Sequence, residues 1–259
     1  MARQARQLGA ALCLLLPCGS ATLVEVSVRR GAVLGSLSDV EAALRAASGR
    51  TQASAILLTL GGDELPKQAG VQEDAARLSA LSAKGREAML RREAACRLAI
   101  LQSPVPVIAL ADGELTGAAA AFFLAASRRV CTQLTTYALG ECRAGLCPGF
   151  GALDALAATS QPHVAIATAL GALRLNSNDC MELSLATHYA PSEALTDLVG
   201  ELRASPPSYI DVPLARRTAS AAPPSLVPLF ASERALCPHC HSNPELRAEP
   251  SNCTGERKG

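Results

Sequence analysis

The stretch YALGECRAGLCPGFG, residues 137–151, sets one carboxylate, Glu141, among glycines and cysteines. A carboxylate held in such a turn can serve as general acid, general base or nucleophile. It can equally be a leftover side chain satisfied by backbone or solvent, and both readings stand at this point. Glu93 is the second candidate. It follows Met89 by four residues and precedes Cys96 by three, which puts it on the apolar face of a helical pattern. Burial there would push its pKa upward, the direction a general acid needs. Arg91, Arg92 and Arg97 nearby support the competing reading of an exposed helical glutamate. Asp63 and Glu64, in GGDEL, read as caps of a following helix. Near the end, CPHCH spans Cys237 to His241 and Cys253 follows. C-x-x-C-H is the spacing of covalent haem attachment, and Cys237, Cys240, His241 and Cys253 could form a zinc site only if the tail folds back. The expectation there is a polar tail with no metal. His163 and His188 read as ordinary, partly buried histidines.

Three apolar runs must position these groups. Thr22 to Val28, Ala55 to Leu60 and Val105 to Ala111 read as strands, and the continuous apolarity of the second and third is that of strands covered on both faces. A helical pattern from about Gln72 to Gln102 lies between the second and third, with Leu78, Leu81, Met89, Cys96 and Ile100 near one face. Strand, long crossover helix and strand argue for a parallel α/β arrangement. After Asp112-Gly113, Thr116 reads as a cap and Gly117 through Ser127 as a helix buried on all sides. Its N-terminus gathers free amide N–H groups and the positive end of the helix dipole, where an oxyanion could be held. Arg129 to Thr132 and Thr136 to Leu139 read as a short strand pair. Helices are expected from Ala152, from Pro162, and after a cap at Ser177 or Asn178.

The 259 residues are 49% apolar and 18% charged, enough for a packed core, and a formal charge of +1 excludes a dedicated nucleic-acid binder. Aromatics are only 3%, so that core must be built from small and aliphatic side chains at close range. Ten cysteines, scattered through apolar stretches, read mostly as small buried hydrophobes of a reducing compartment. The N-terminus has Arg3 and Arg6, no acid before Glu25, and an apolar run from Leu8 to Leu16. That run falls short of the ~20 residues that span a bilayer. A signal peptide, a mitochondrial presequence and a first buried strand or helix all fit it.

Taken together, GGDEL, PVIALADGELTGAAAA, YALGECRAGLCPGFGAL and ALRLNSNDCMELSLATHYAPSEAL resemble the successive landmarks of the crotonase (enoyl-CoA hydratase/isomerase) superfamily, nearest to 3-hydroxyisobutyryl-CoA hydrolase. The resemblance implies an α/β fold, a crotonase-like ββα spiral core with a helical C-terminal segment. It divides the chain into a leader or targeting segment (1–21), a crotonase-like domain (22–204) and a divergent, partly disordered tail (205–259). It also implies a CoA thioester as ligand, with no other cofactor. The thioester oxygen would be held by backbone N–H groups at Gly62 and at the turn Gly117, Ala118, Ala119, and Glu141 and Glu93 would be the catalytic carboxylates.

Departures from the family pattern accompany these matches. An aspartate eight residues after the glutamate is replaced by Gly149, and the glycines expected at the buried helix start read Gly117, Ala118, Ala119. The long C-terminal portion of the hydrolase is largely missing. The expectation is a degenerate enzyme kept as a structural subunit of a mitochondrial (matrix) assembly. The small subunit of the mitochondrial ribosome comes first and a respiratory complex second, with other protein subunits as partners, rRNA contact and no membrane span. The alternative is an active acyl-CoA thioester hydrolase of valine degradation.

Overall fold

The computed structural model describes residues 6–8, 11–18, 21–28, 41–45, 53–60, 76–149, 151–159 and 162–217, less residues 43 and 77. The elements follow in this order: β1 (Arg6–Leu8), β2 (Ala11–Cys18), β3 (Ala21–Val28), β4 (Ala53–Leu60), α1 (Ala83–Leu101), β5 (Val107–Ala111), β6 (Glu114–Leu115), α2 (Gly117–Ala125), β7 (Arg128–Cys131) and β8 (Thr136–Ala138). A 3-10 turn (Glu141–Ala144) leads to α3 (Ala152–Thr159), α4 (Pro162–Gly171), β9 (Arg174–Asn176), α5 (Ser177–Glu182), β10 (His188–Tyr189), α6 (Leu195–Ala204) and α7 (Asp211–Arg217).

Seven strands form one sheet in the order β1-β2-β3-β4-β5-β7-β10. The neighbours from β3 to β10 are parallel, and β1 and β2 extend the sheet antiparallel within the span read as a leader. Successive side chains of a strand point to opposite faces, and here both faces are covered. Val24, Val26, Ile56, Leu58, Val107 and Ala109 pack into one cluster with Cys96 and Ile100 of α1 and Phe122 and Phe123 of α2. Their sequence neighbours Leu23, Ala55, Leu57, Ile108 and Leu110, together with Val130 of β7, pack into another with Leu198, Leu202, Ile210 and Leu214. Two-sided burial explains why AILLTL and VIALA lack polar alternation. Packed structure continues past residue 204, since Ile210 and Leu214 close the second face.

Four local expectations are corrected. The helical pattern from residue 72 is interrupted before α1, because Ser82 Oγ accepts the Gly85 N–H at 3.1 Å and starts a new helix. Arg129 to Thr132 and Thr136 to Leu139 do not pair: β7 lies in the large sheet, whereas β8 joins β6 and β9 in a second sheet. The turn between them is tied back to the end of β5, where Thr135 Oγ1 donates to the Ala111 carbonyl at 2.7 Å and Thr132 Oγ1 to Asp112 Oδ1 at 2.6 Å. Thr116 precedes α2 but makes no side-chain cap. The cap of α5 is Asn176, one residue before the expected Ser177, in a capping box with Asp179.

Three arginines join distant segments. Arg128 grips Asp211 at 2.7 and 2.9 Å and fastens α7 to β7, and Arg203 reaches Glu25 at 2.6 Å, fastening α6 to β3. Arg129 donates to the carbonyls of Leu185, Ala126 and Ser184 at 2.6, 3.0 and 3.0 Å. Replacing Arg129 by Met leaves three carbonyls without that donor and is expected to lower stability by about 2–3 kcal/mol in urea unfolding. The hydrogen bond from Arg128 holds the Asp211 carboxyl below its ordinary pKa. Its stabilising contribution is therefore present above the unfolded carboxylate range, near pH ~4, and fades as pH falls through the lower folded value. Asp211→Asn should flatten that acid limb, read as thermal melting against pH.

Candidate functional site

The end of β5 feeds a turn through Gly113 into β6 and then directly into α2. Gly117, the first residue of α2, has φ +56°, a left-handed conformation that costs a residue with a side chain about 1–2 kcal/mol. Thr116 before it has extended backbone but makes no side-chain cap, so the first amides of α2 receive no side-chain acceptor from it. Ala118 is buried and Ala119 half-buried at this helix start. This N-terminus has the dipole sense that suits an oxyanion, with a methyl group at each of the two positions after Gly117.

α2 is the common support of the candidate carboxylates, packing against α1, which carries Glu93, and against β8, which leads to Glu141. Glu141 opens the 3-10 turn and is 6% exposed. The turn is closed by left-handed Gly145 and by the Leu146 N–H, which donates to the Glu141 carbonyl at 2.9 Å. Arg143 of the turn donates to the Gly171 carbonyl at 3.2 Å, docking it on the end of α4. Tyr137 lies within the electrostatic reach of Glu141, and burial first, then Cys180 and Glu141, raises its pKa well above the ordinary value. The Tyr137 hydroxyl is sealed from solvent and has no hydrogen-bond partner among the described residues.

Glu93 is 4% exposed, so the solvent-facing alternative for it does not hold, while Arg91 and Arg92 just before it are exposed. Its neighbour Cys96 has its thiol pKa pushed up to about 12 by burial, then by Glu41 and Glu93, which makes it an inert packing residue. Cys131 is likewise pushed up to about 12 by burial. His188 Nδ1 lies 2.7 Å from Thr187 Oγ1, and burial followed by Arg128 lowers its pKa.

At Gly149, where the family resemblance expects an aspartate, a Cβ would meet nothing within 4 Å among the described residues. Two residues on, Gly151 has φ +68°, and a Cβ on it would lie 2.5 Å from Nη1 and 2.6 Å from Cζ of Arg97. Arg97, one turn beyond Glu93 on α1, thus packs its guanidinium on the backbone that follows Gly149. That contact escapes sequence reading, because Arg97 looks like one more charge on a basic helix. Two acids beside the site were also missed as partners. Asp112 accepts from Thr132 at 2.6 Å and from Ser192 at 2.8 Å, and buried Glu114 pairs with Arg174. Their position directly after the apolar β5 run was the available signal. Gly62, Asp63 and Glu64, and the tail residues Cys237, Cys240, His241 and Cys253, lie outside the described residues.

Residues 37–248 match the sequence profile of the enoyl-CoA hydratase/isomerase family. Among solved structures, the chain is similar to a carnitinyl-CoA dehydratase from Mycobacterium thermoresistibile, with TM-score 0.70 and 20% identity over 83% of this chain and 63% of that one. It is similar to an enoyl-CoA hydratase from Rhodobacter sphaeroides 2.4.1, with TM-score 0.65 and 21% identity over 85% and 64%. A third, an enoyl-CoA hydratase from Bacillus halodurans, gives TM-score 0.62 and 18% identity over 79% and 84%. The chain thus spans less than two thirds of the length of the first two. No match is found among curated proteins. Identity at this level carries the fold.

The two glycines of the 149–151 turn should respond oppositely to substitution. Gly149→Asp is expected to change stability by less than about 1 kcal/mol, the scale of a surface replacement. Gly151→Ala, which forces a left-handed Cβ against Arg97, should cost about 2 kcal/mol or more. Thermal denaturation of the two variants measures the contrast.

Proposed function

Because the chain belongs to the enoyl-CoA hydratase/isomerase family, we propose that it is a 3-hydroxyisobutyryl-CoA hydrolase-like member whose catalysis has degenerated. In this reading it persists as a structural subunit of an assembly in the mitochondrial matrix, the small subunit of the mitochondrial ribosome first and a respiratory complex second. The observation that carries the reading is Gly149, where the hydrolase pattern calls for an acid and a Cβ would meet nothing within 4 Å among the described residues. Loss of a general acid or base costs typically ~10²–10⁴ in rate. The methyl groups of Ala118 and Ala119 add to it. They narrow the approach to the amides at the start of α2 while gaining about 1 kcal/mol each of helix propensity over glycine. Both changes favour the fold at the expense of the site. A fold that outlives its site is retained for its surfaces, which makes the partners other protein subunits, with rRNA alongside.

A working acyl-CoA thioester hydrolase is the second reading. It is favoured by the burial of both Glu141 and Glu93 and by the left-handed Gly117 at the helix start. In that case the amides of Gly117 and Ala118, with that of Gly62, would hold the thioester oxygen, Glu141 would be the principal carboxylate, and CoA would be the leaving group. Sedimentation of a mitochondrial lysate from the native source tests the first reading. Recovery of the protein in fast-sedimenting fractions with ribosomal or respiratory subunits is expected. Recovery in the light, free fractions alone would contradict it.

A further inference from the structure

Arg97 carries a charge that nothing among the described residues balances. Its side chain is half-buried, and its Nε is sealed from solvent without a hydrogen-bond partner. The ion pairs of the described residues involve other arginines. A guanidinium keeps its proton throughout the range in which proteins fold, so burying it unpaired is costly, and such a group calls for an acceptor from outside the chain. Its location adds to that demand. A Cβ on Gly151 would meet Nη1, Cζ and Nε of Arg97 at 2.5, 2.6 and 3.0 Å, so the guanidinium fills the space of a missing side chain there. Gly151 also accepts the first helical hydrogen bond of α3, from the Ala155 N–H at 3.2 Å, which puts it at the N-terminal end of that helix. That end bears the positive pole of the helix dipole and amides with no acceptor inside the helix, and a cation beside it is the unfavourable arrangement. Asp154, the acid of the first turn, is exposed and forms no ion pair with Arg97. Two positive ends thus converge on one glycine, which is the electrostatics of an anion seat.

We propose that Arg97 and the start of α3 seat a carboxylate at the far end of a CoA thioester's acyl group, so that the ligand class is a dicarboxylic acyl-CoA. This rests on the thioester ligand of the second reading above and names its acyl group; it requires binding and not cleavage. Glu93 lies four residues before Arg97, on the same side of α1, so the seat adjoins one of the candidate carboxylates. Gly149, two residues before Gly151, leaves room beside it, since a Cβ there would meet nothing within 4 Å among the described residues. Where the family resemblance expects an acid, the turn therefore carries none, and a guanidinium stands against its other glycine. A planar guanidinium matches a carboxylate, and the helix amides add neutral donors. A phosphate of CoA itself fits less well, because the buried charge of Glu93 opposes a doubly charged group more than a singly charged one.

Calorimetric titration of the full-length protein, in buffer free of phosphate, tests the assignment with ligands matched in carbon number. Malonyl-CoA is compared with propionyl-CoA, glutaryl-CoA with pentanoyl-CoA, and free CoA serves as the arm that has phosphates and no acyl group. At least one dicarboxylic thioester is expected to bind about ten-fold more tightly than its monocarboxylic match, the scale of one hydrogen bond to a charged group. Arg97→Gln should erase that preference, and Arg97→Lys should retain part of it. Equal binding within both pairs would overturn the assignment and leave the thioester ligand standing, and this comparison needs no variant to fold. Free CoA binding as tightly as the dicarboxylic thioesters, or a preference that survives Arg97→Gln, would also overturn it. Binding of no thioester at all would overturn both the assignment and the thioester reading, without touching the subunit reading.

Discussion

Close approach to one alanine-rich helix is the constraint on which the rest of this molecule depends. α2 is buried along nearly its whole length, with Ala118, Ala120, Ala121, Phe122, Phe123 and Ala125 all inside. A helix with so little side-chain bulk can be buried only if strands and helices approach its backbone, and the small-residue composition of the chain supplies those neighbours. Its start is fixed by Gly117, which turns through a left-handed conformation straight after β6. The helix, the strand leading to Glu141 and the helix carrying Glu93 are therefore one packing unit.

Much of this was legible from residue pattern. The continuous apolarity of residues 55–60 and 107–111 signalled strands with two buried faces, and alternate residues do enter two different clusters. The all-apolar stretch after Thr116 signalled a buried helix. Contacts set by tertiary geometry were not legible. β7 and β8 look like a hairpin in sequence, but Thr132 and Thr135 tie the intervening turn to the end of β5 and send the two strands into different sheets. Ser82 looks like an ordinary polar position inside a helical pattern until its hydroxyl caps α1.

The candidate site divides in the same way. Glu141 and Glu93 were found from local context and both are buried. The openness around Gly149 and the seating of Arg97 on Gly151 depend on how α1 meets the start of α3, which no spacing rule encodes. Family membership alone leaves the chemistry undecided. The proposed reading sets against chemistry the absence of a side chain at Gly149, where a Cβ would meet none of the described residues within 4 Å, and the methyl groups of Ala118 and Ala119 at the helix start.

Whether two buried glutamates still cleave a thioester is the central question, and single-turnover release of CoA from 3-hydroxyisobutyryl-CoA by excess purified protein answers it. Release no faster than without protein, and unchanged by Glu141→Gln, is the predicted result. Rapid release that the same substitution abolishes would contradict the account.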